Sequence, residues 1–169
     1  MLIIFFDNFF LLGKYTLEVI IIINLTQKET GLLKDLISQE QLCVEKYKKH
    51  SDAACDIELK NLLNRIMQNE QQHLDTVNQI MSGTVPFVSK GGTTPAKPTA
   101  SSMSPECKQN DKYICSDLLT MEKHVSSLYD TCIFEFADVG VRDVLNHIQK
   151  EEQGHGEQLY SYMSVNGMY

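Results

Sequence analysis

Four glutamates and two histidines recur at matched spacing in this chain of 169 residues. Glu70 and His73 form one E-x-x-H pair, and Glu152 and His155 form a second. A further glutamate, Glu40 or Glu122, precedes each pair by the same interval, 70 − 40 = 30 and 152 − 122 = 30. A spacing of three places a carboxylate and an imidazole on one face of a helix. Two such pairs, joined by one glutamate from each of two other helices, supply the ligands of a paired-metal site inside a helix bundle.

The six residues interrupt apolar stripes. One stripe runs Leu33, Leu36 and Ile37, Glu40, Val44, Tyr47, and the next runs Leu59, Leu63, Ile66, Glu70, His73, Val77, Ile80. Later in the chain come Leu118, Glu122, Val125, Tyr129 and then Leu145, Ile148, Glu152, His155, Leu159. Residues on such a stripe face the core. A buried carboxylate without a partner costs several kcal/mol or more. Protonation, pairing with Lys or Arg, or metal binding would relieve that cost. No Lys or Arg occupies the matching interior positions, whereas two divalent cations would offset four carboxylates.

The expectation is therefore that Glu40, Glu70, His73, Glu122, Glu152 and His155 hold two ions. Iron and manganese both accept carboxylate and imidazole. The alternative is a relic in which some of these groups are protonated or solvated. His50, His124 and His147 fall off the stripes and are expected at the surface. Tyr47 and Tyr129 lie two turns beyond Glu40 and Glu122 and are expected as core tyrosines with satisfied hydroxyls, hydrogen bonding to the ligands being the second reading. Gly154 and Gly156 flank His155 where the first half has Gln72 and Leu74, which predicts unequal access to the two metals, a tolerated local weakness of the helix being the alternative.

The elements that position these residues repeat. Sliding residues 33–81 by 82 positions onto 115–163 makes 12 of 49 positions identical without a gap, against about three by chance at average residue usage. The pattern reads as an internal duplication of a two-helix unit. Apolar periodicity predicts helices near 30–50, 56–82, 111–137 and 140–164, with Asp56 as an N-cap and Asp138 and Gly140 at the second turn. All four prolines and several glycines fall in 83–108, which is expected to be an irregular crossover between a hairpin at 28–82 and one at 111–164. The fold class expected is all-α: a four-helix bundle of two repeated hairpins with one long crossover, the ferritin-like variant.

Composition narrows the function classes. Fifteen basic against 22 acidic residues leave a net charge of −7, which gives no footprint for nucleic acid. The five cysteines contain no C-x-x-C pair, which argues against a zinc ribbon or a rubredoxin-like iron site. Their odd number and irregular spacing suit small buried hydrophobes in a reducing compartment. Residues 1–24 are rich in Phe, Ile and Leu, but Asp7, Lys14 and Glu18 divide them, and no run nears the length of a membrane span. They also lack the basic start and small-residue cleavage site of a signal peptide. The expectation is a misplaced start, with the native protein beginning near Leu25; a membrane anchor is the alternative.

The C-terminal sequence VRDVLNHIQKEEQGHGEQLYSYMSVNGMY, with its closing M-x-x-x-G-x-Y of Met163, Gly167 and Tyr169, resembles the bacterial spore coat protein F (Coat F) family. The carboxylate layout also resembles the ferritin-like superfamily, including rubrerythrins and manganese catalases. The resemblance is good over 111–169 and weaker over 28–82. It implies a ferritin-like fold and a place in the endospore coat, made in the mother cell, with other coat proteins and further copies of the chain as partners. Many members of the Coat F family are not established enzymes. Two roles follow: a structural coat component, or a di-iron or di-manganese oxidoreductase acting on peroxide or oxygen.

Overall fold

The computed structural model describes residues 23–87 and 97–169. Four α-helices account for most of them: α1 (Gln27–Ala53), α2 (Ile57–Met81), α3 (Pro105–Glu135) and α4 (Val139–Val165). There is no β-strand among the described residues. No helix among them is long and apolar enough to cross a membrane.

Local chemistry sets the helix ends. Thr26 and Glu29 close a reciprocal capping box on α1, so the helix starts three residues before the periodicity suggested. Asp56 caps α2 by accepting from Glu58 N at 3.0 Å, and Asp138 caps α4 by accepting from Val141 N at 3.0 Å. The third helix begins at Pro105, inside the segment expected to be irregular. Ser104 is its N-cap and Pro105 sits in its first turn, where the missing N–H and fixed φ cost nothing. The helix-breaking prolines of the crossover thus end one residue after the cap.

α1 packs on α2 and α3 on α4, and the two hairpins meet through α1 with α3 and α2 with α4. Lys28 near the start of α1 pairs with Glu135 at the end of α3, and Asn110 near the start of α3 donates to Ala53 O at the end of α1. These two helices are therefore antiparallel. Tyr162 near the end of α4 donates to the Asp56 cap of α2 at 2.8 Å, so that pair is antiparallel too. The crossover must return along the bundle, and its far end is anchored by Thr99 to Glu58 and by Ser101 to Asp56 and Asn166.

Along the middle of α1 the buried positions are Leu33, Leu36, Glu40, Cys43 and Tyr47. Cys43 takes the core place expected of Val44, which is half-buried. The spacing 3, 4, 3, 4 explains the substitution, because it keeps one seam facing the bundle axis. Cys115 and Cys132 are buried as well, whereas Cys55 is exposed and Cys107 half-buried.

The late-start and membrane-anchor readings concern residues of which 1–22 lie outside the described residues. Ile23 and Asn24 belong to the described fold. Ile23 N donates to Gly83 O at 2.9 Å, and its side chain packs against the core.

Candidate metal centre

The apolar interior changes character midway along the helices. Glu40 from α1, Glu70 and His73 from α2, Glu122 from α3, and Glu152 and His155 from α4 all converge there, each at most 3% exposed. The structure thus brings all six expected residues together.

They form two overlapping groups. Ligand atoms of Glu40, Glu70, His73 and Glu152 all lie within 4.8 Å of one another, and so do those of Glu70, Glu122, Glu152 and His155. Adding 82 to Glu40, Glu70 and His73 yields Glu122, Glu152 and His155, so the two groups have matching membership. Glu70 and Glu152 belong to both groups, while Glu40 and Glu122 each belong to one.

Both imidazoles turn Nδ1 inward. His73 Nδ1 is 3.0 Å from Glu152 Oε1 and 3.5 Å from Glu70 Oε2. His155 Nδ1 is 2.8 Å from Glu70 Oε1 and 3.6 Å from Glu122 Oε2. These contacts are close, yet they are not aligned as hydrogen bonds: both Nδ1 atoms remain without a hydrogen-bond partner. The rings stack with centroids 5.6 Å apart.

Each outward Nε2 meets a residue of the opposite hairpin. His73 Nε2 lies 3.0 Å from Glu151, which His147 also approaches at 3.4 Å, and His155 Nε2 lies 3.3 Å from Asn69. Asn69 and Glu151 are themselves 82 apart and directly precede the E-x-x-H glutamates. Nothing in their spacing marks them, because each serves a histidine on another helix. His124 is exposed as expected, while His50 is half-buried against Asp117 at 2.8 Å.

The tyrosines also reach across. Tyr47 donates to Glu122 Oε1, and Tyr129 donates to Glu40 Oε1. The core-tyrosine reading holds for their burial, since both are fully buried. Their hydroxyls are satisfied by the candidate ligands themselves.

Electrostatics divides the four glutamates into two kinds. Burial, reinforced by the charges of Glu152 and Glu70, pushes the Glu40 carboxyl well above the usual range. Burial pushes Glu122 up to about 8. For Glu152 and Glu70 burial acts in the same direction, but the two rings beside them outweigh it and hold both carboxyls down. Burial lowers the imidazoles, and the surrounding carboxylates more than reverse this, holding His73 and His155 well above the usual value. Without metal, these shifts favour the charged form at Glu70, Glu152 and both rings, and the protonated carboxyl at Glu40 and Glu122.

That state balances charge and leaves valences open. Eight buried polar atoms lack a hydrogen-bond partner among the described residues, and every one lies on these six side chains. Buried polar groups are normally paired. Four carboxylates and two neutral imidazoles require a charge of +4, which two divalent cations supply. Nδ1 atoms aimed inward, with Nε2 held by an outer partner, present histidines as ligating histidines are commonly held. The residues present fit a bound metal ion.

α4 ends in a defined way. Gly167 adopts φ +59°, its N–H bonds Ser164 O at 3.1 Å, and Met168 N bonds Met163 O at 2.8 Å. This is a Schellman close, which needs glycine and tucks Met168 into the core. It accounts for Met163 and Gly167 of the closing motif, while Tyr169 packs edge-on against Tyr160. Residues 110–169 match the Coat F domain. The Coat F segment spans most of α3, all of α4 and the closing motif, and it contains Glu122, Glu151, Glu152 and His155. Glu40, Glu70 and His73 lie outside it, in the first hairpin. No curated protein and no solved structure matches the chain.

Proposed function

We propose that this protein is a component of the bacterial endospore coat, made in the mother cell, whose ferritin-like bundle holds a two-metal carboxylate centre of iron or manganese. The Coat F match over 110–169 supports the location. The single observation that carries the metal reading is the set of eight unpartnered buried atoms confined to six side chains. Glu40, Glu70, His73 and Glu152 would hold one ion, and Glu70, Glu122, Glu152 and His155 the other. His73 and His155 would each offer the inward Nδ1. Tyr47 and Tyr129 orient Glu122 and Glu40, and Glu151 and Asn69 hold the rings.

Other coat proteins and further copies of this chain are the partners. The acidic exterior and exposed residues such as Ile57, Tyr113 and Phe134 offer contact surfaces.

A second reading, an oxidoreductase acting on peroxide or oxygen, draws on one feature. A surface groove of about 360 Å³ between α3 and α4 is lined by Leu119, Glu122, Glu152 and Gly156. Leu74 occupies the position 82 residues before Gly156, a bulkier side chain at the matching place in the other hairpin. Bound metal would supply the redox chemistry. The chain's own part is to orient the carboxylates and to narrow access to one side.

Elemental analysis of protein purified without chelator tests the metal centre, with close to two iron or manganese ions per chain expected. Proteomics of purified spores against growing cells tests the location. Expression confined to growing cells would refute the coat role, and peroxide turnover by the two-metal form would make the protein an enzyme.

A further inference from the structure

We propose that Cys55 and Cys107 are a disulfide-forming pair that ties the α1–α2 turn to the first turn of α3. The turn is already docked there. Asp111 is fully buried and accepts from Cys55 N at 2.8 Å and from Asp56 N at 2.9 Å, while Asn110 donates to Ala53 O at 3.0 Å. Cys107 lies one helical turn before Asp111 and therefore on the same face of α3.

The other hairpin supplies an internal comparison. Glu29 stands 82 residues before Asp111, and it accepts from Ala137 N at 3.0 Å, the counterpart of Cys55 N. The counterpart of Cys107 is Leu25, and Leu25, Glu29 and Ala137 line one surface cavity together. The Cys107 side chain beside it pushes the Cys55 thiol up to about 11. Cys43, Cys115 and Cys132 are buried, which leaves this pair as the accessible thiols.

A hydroperoxide is the oxidant. A Cys55 or Cys107 thiolate attacks a peroxide oxygen, the O–O bond breaks, and sulfenic acid forms with release of water. The second thiol displaces the sulfenic hydroxyl as another water, and the S–S bond forms. Two thiols lose two electrons and two protons, and hydrogen peroxide is reduced to two waters. The closed loop, 55–107, encloses α2 and the crossover. This corner lies apart from the carboxylate cluster, so the proposal stands whether or not metal binds.

The full chain, treated with hydrogen peroxide or with reductant, is alkylated after unfolding and mapped by mass spectrometry without reduction. The expected product is a Cys55–Cys107 cross-linked peptide, with Cys43, Cys115 and Cys132 alkylated. Thermal unfolding of the oxidised chain should shift upward by several degrees, and C55S and C107S should each abolish that shift while unfolding normally in reductant. Chains joined to one another through either cysteine, or both thiols recovered free or as acids, would overturn the proposal.

Discussion

Tyr47 of α1 donates its hydroxyl hydrogen to Glu122 of α3, and 82 residues on Tyr129 returns the same bond to Glu40. Each tyrosine shares a helix with one candidate ligand and holds the other. The two hairpins are therefore interlocked at the charged layer, and Glu40 and Glu122 cannot be oriented by either hairpin alone.

Replacing Tyr47 or Tyr129 with Phe should leave a buried carboxyl oxygen unpaired and cost about 1–3 kcal/mol. Chemical denaturation of metal-free protein would measure it. A double-mutant cycle of Tyr47→Phe with Glu122→Gln should give a coupling energy, and Tyr47→Phe with Glu40→Gln a smaller one.

His73→Ala and His155→Ala should each lower metal occupancy and thermal stability together, because metal affinity is linked to folding free energy. His124→Ala should change neither, since that ring is exposed. Elemental analysis and calorimetry on the same samples decide this. His147 approaches Glu151, the partner of His73, so His147→Ala should weaken binding only slightly.

The metal-free protein should be most stable in mildly acidic solution. Glu122 has its folded pKa raised to about 8, so its stabilising share is present below the ordinary carboxyl range and is lost as pH rises through about 8. Glu40, His73 and His155 are also raised and act in the same direction. Glu70 and Glu152 are lowered, and their share is lost only as pH falls below the ordinary range. Melting in chelator should therefore fall between pH 6 and pH 9. Metal loading near neutral pH should release about four protons per chain, one from each raised group, which titration in two buffers would count.

Gly154 and Gly156 can be separated. A Cβ at Gly154 meets nothing within 4 Å, so Gly154→Ala should stabilise α4 by about 0.5–1 kcal/mol. A Cβ at Gly156 comes to 3.5 Å from Leu119 Cδ1, an ordinary contact that narrows the groove beside Glu122 and Glu152. Gly156→Leu should slow metal extraction by a chelator several-fold relative to Gly154→Ala, in a stopped-flow assay.

Much of the architecture was legible in the chain itself. Helical periodicity is local, so the four helices and their order could be read from apolar spacing, and the in-stripe glutamates and histidines stood out because charge is costly in a core. The match of Glu40, Glu70 and His73 to their counterparts 82 residues on located both halves of the cluster. The first turn of α3 was hidden by its own Pro105, which usually ends regular structure and here begins it.

Contacts between hairpins were decided only by the tertiary structure. Tyr47 with Glu122, Glu151 with His73, Asn69 with His155 and Asp111 with Cys55 all join residues more than 50 positions apart. Spacing along one helix says which side chains share a face, but not which face of another helix will meet it. The protonation of the cluster belongs to the same level. The sequence shows six titratable groups on apolar stripes; which carboxyls rise and which fall depends on which rings stand beside them, and packing the two hairpins together sets that.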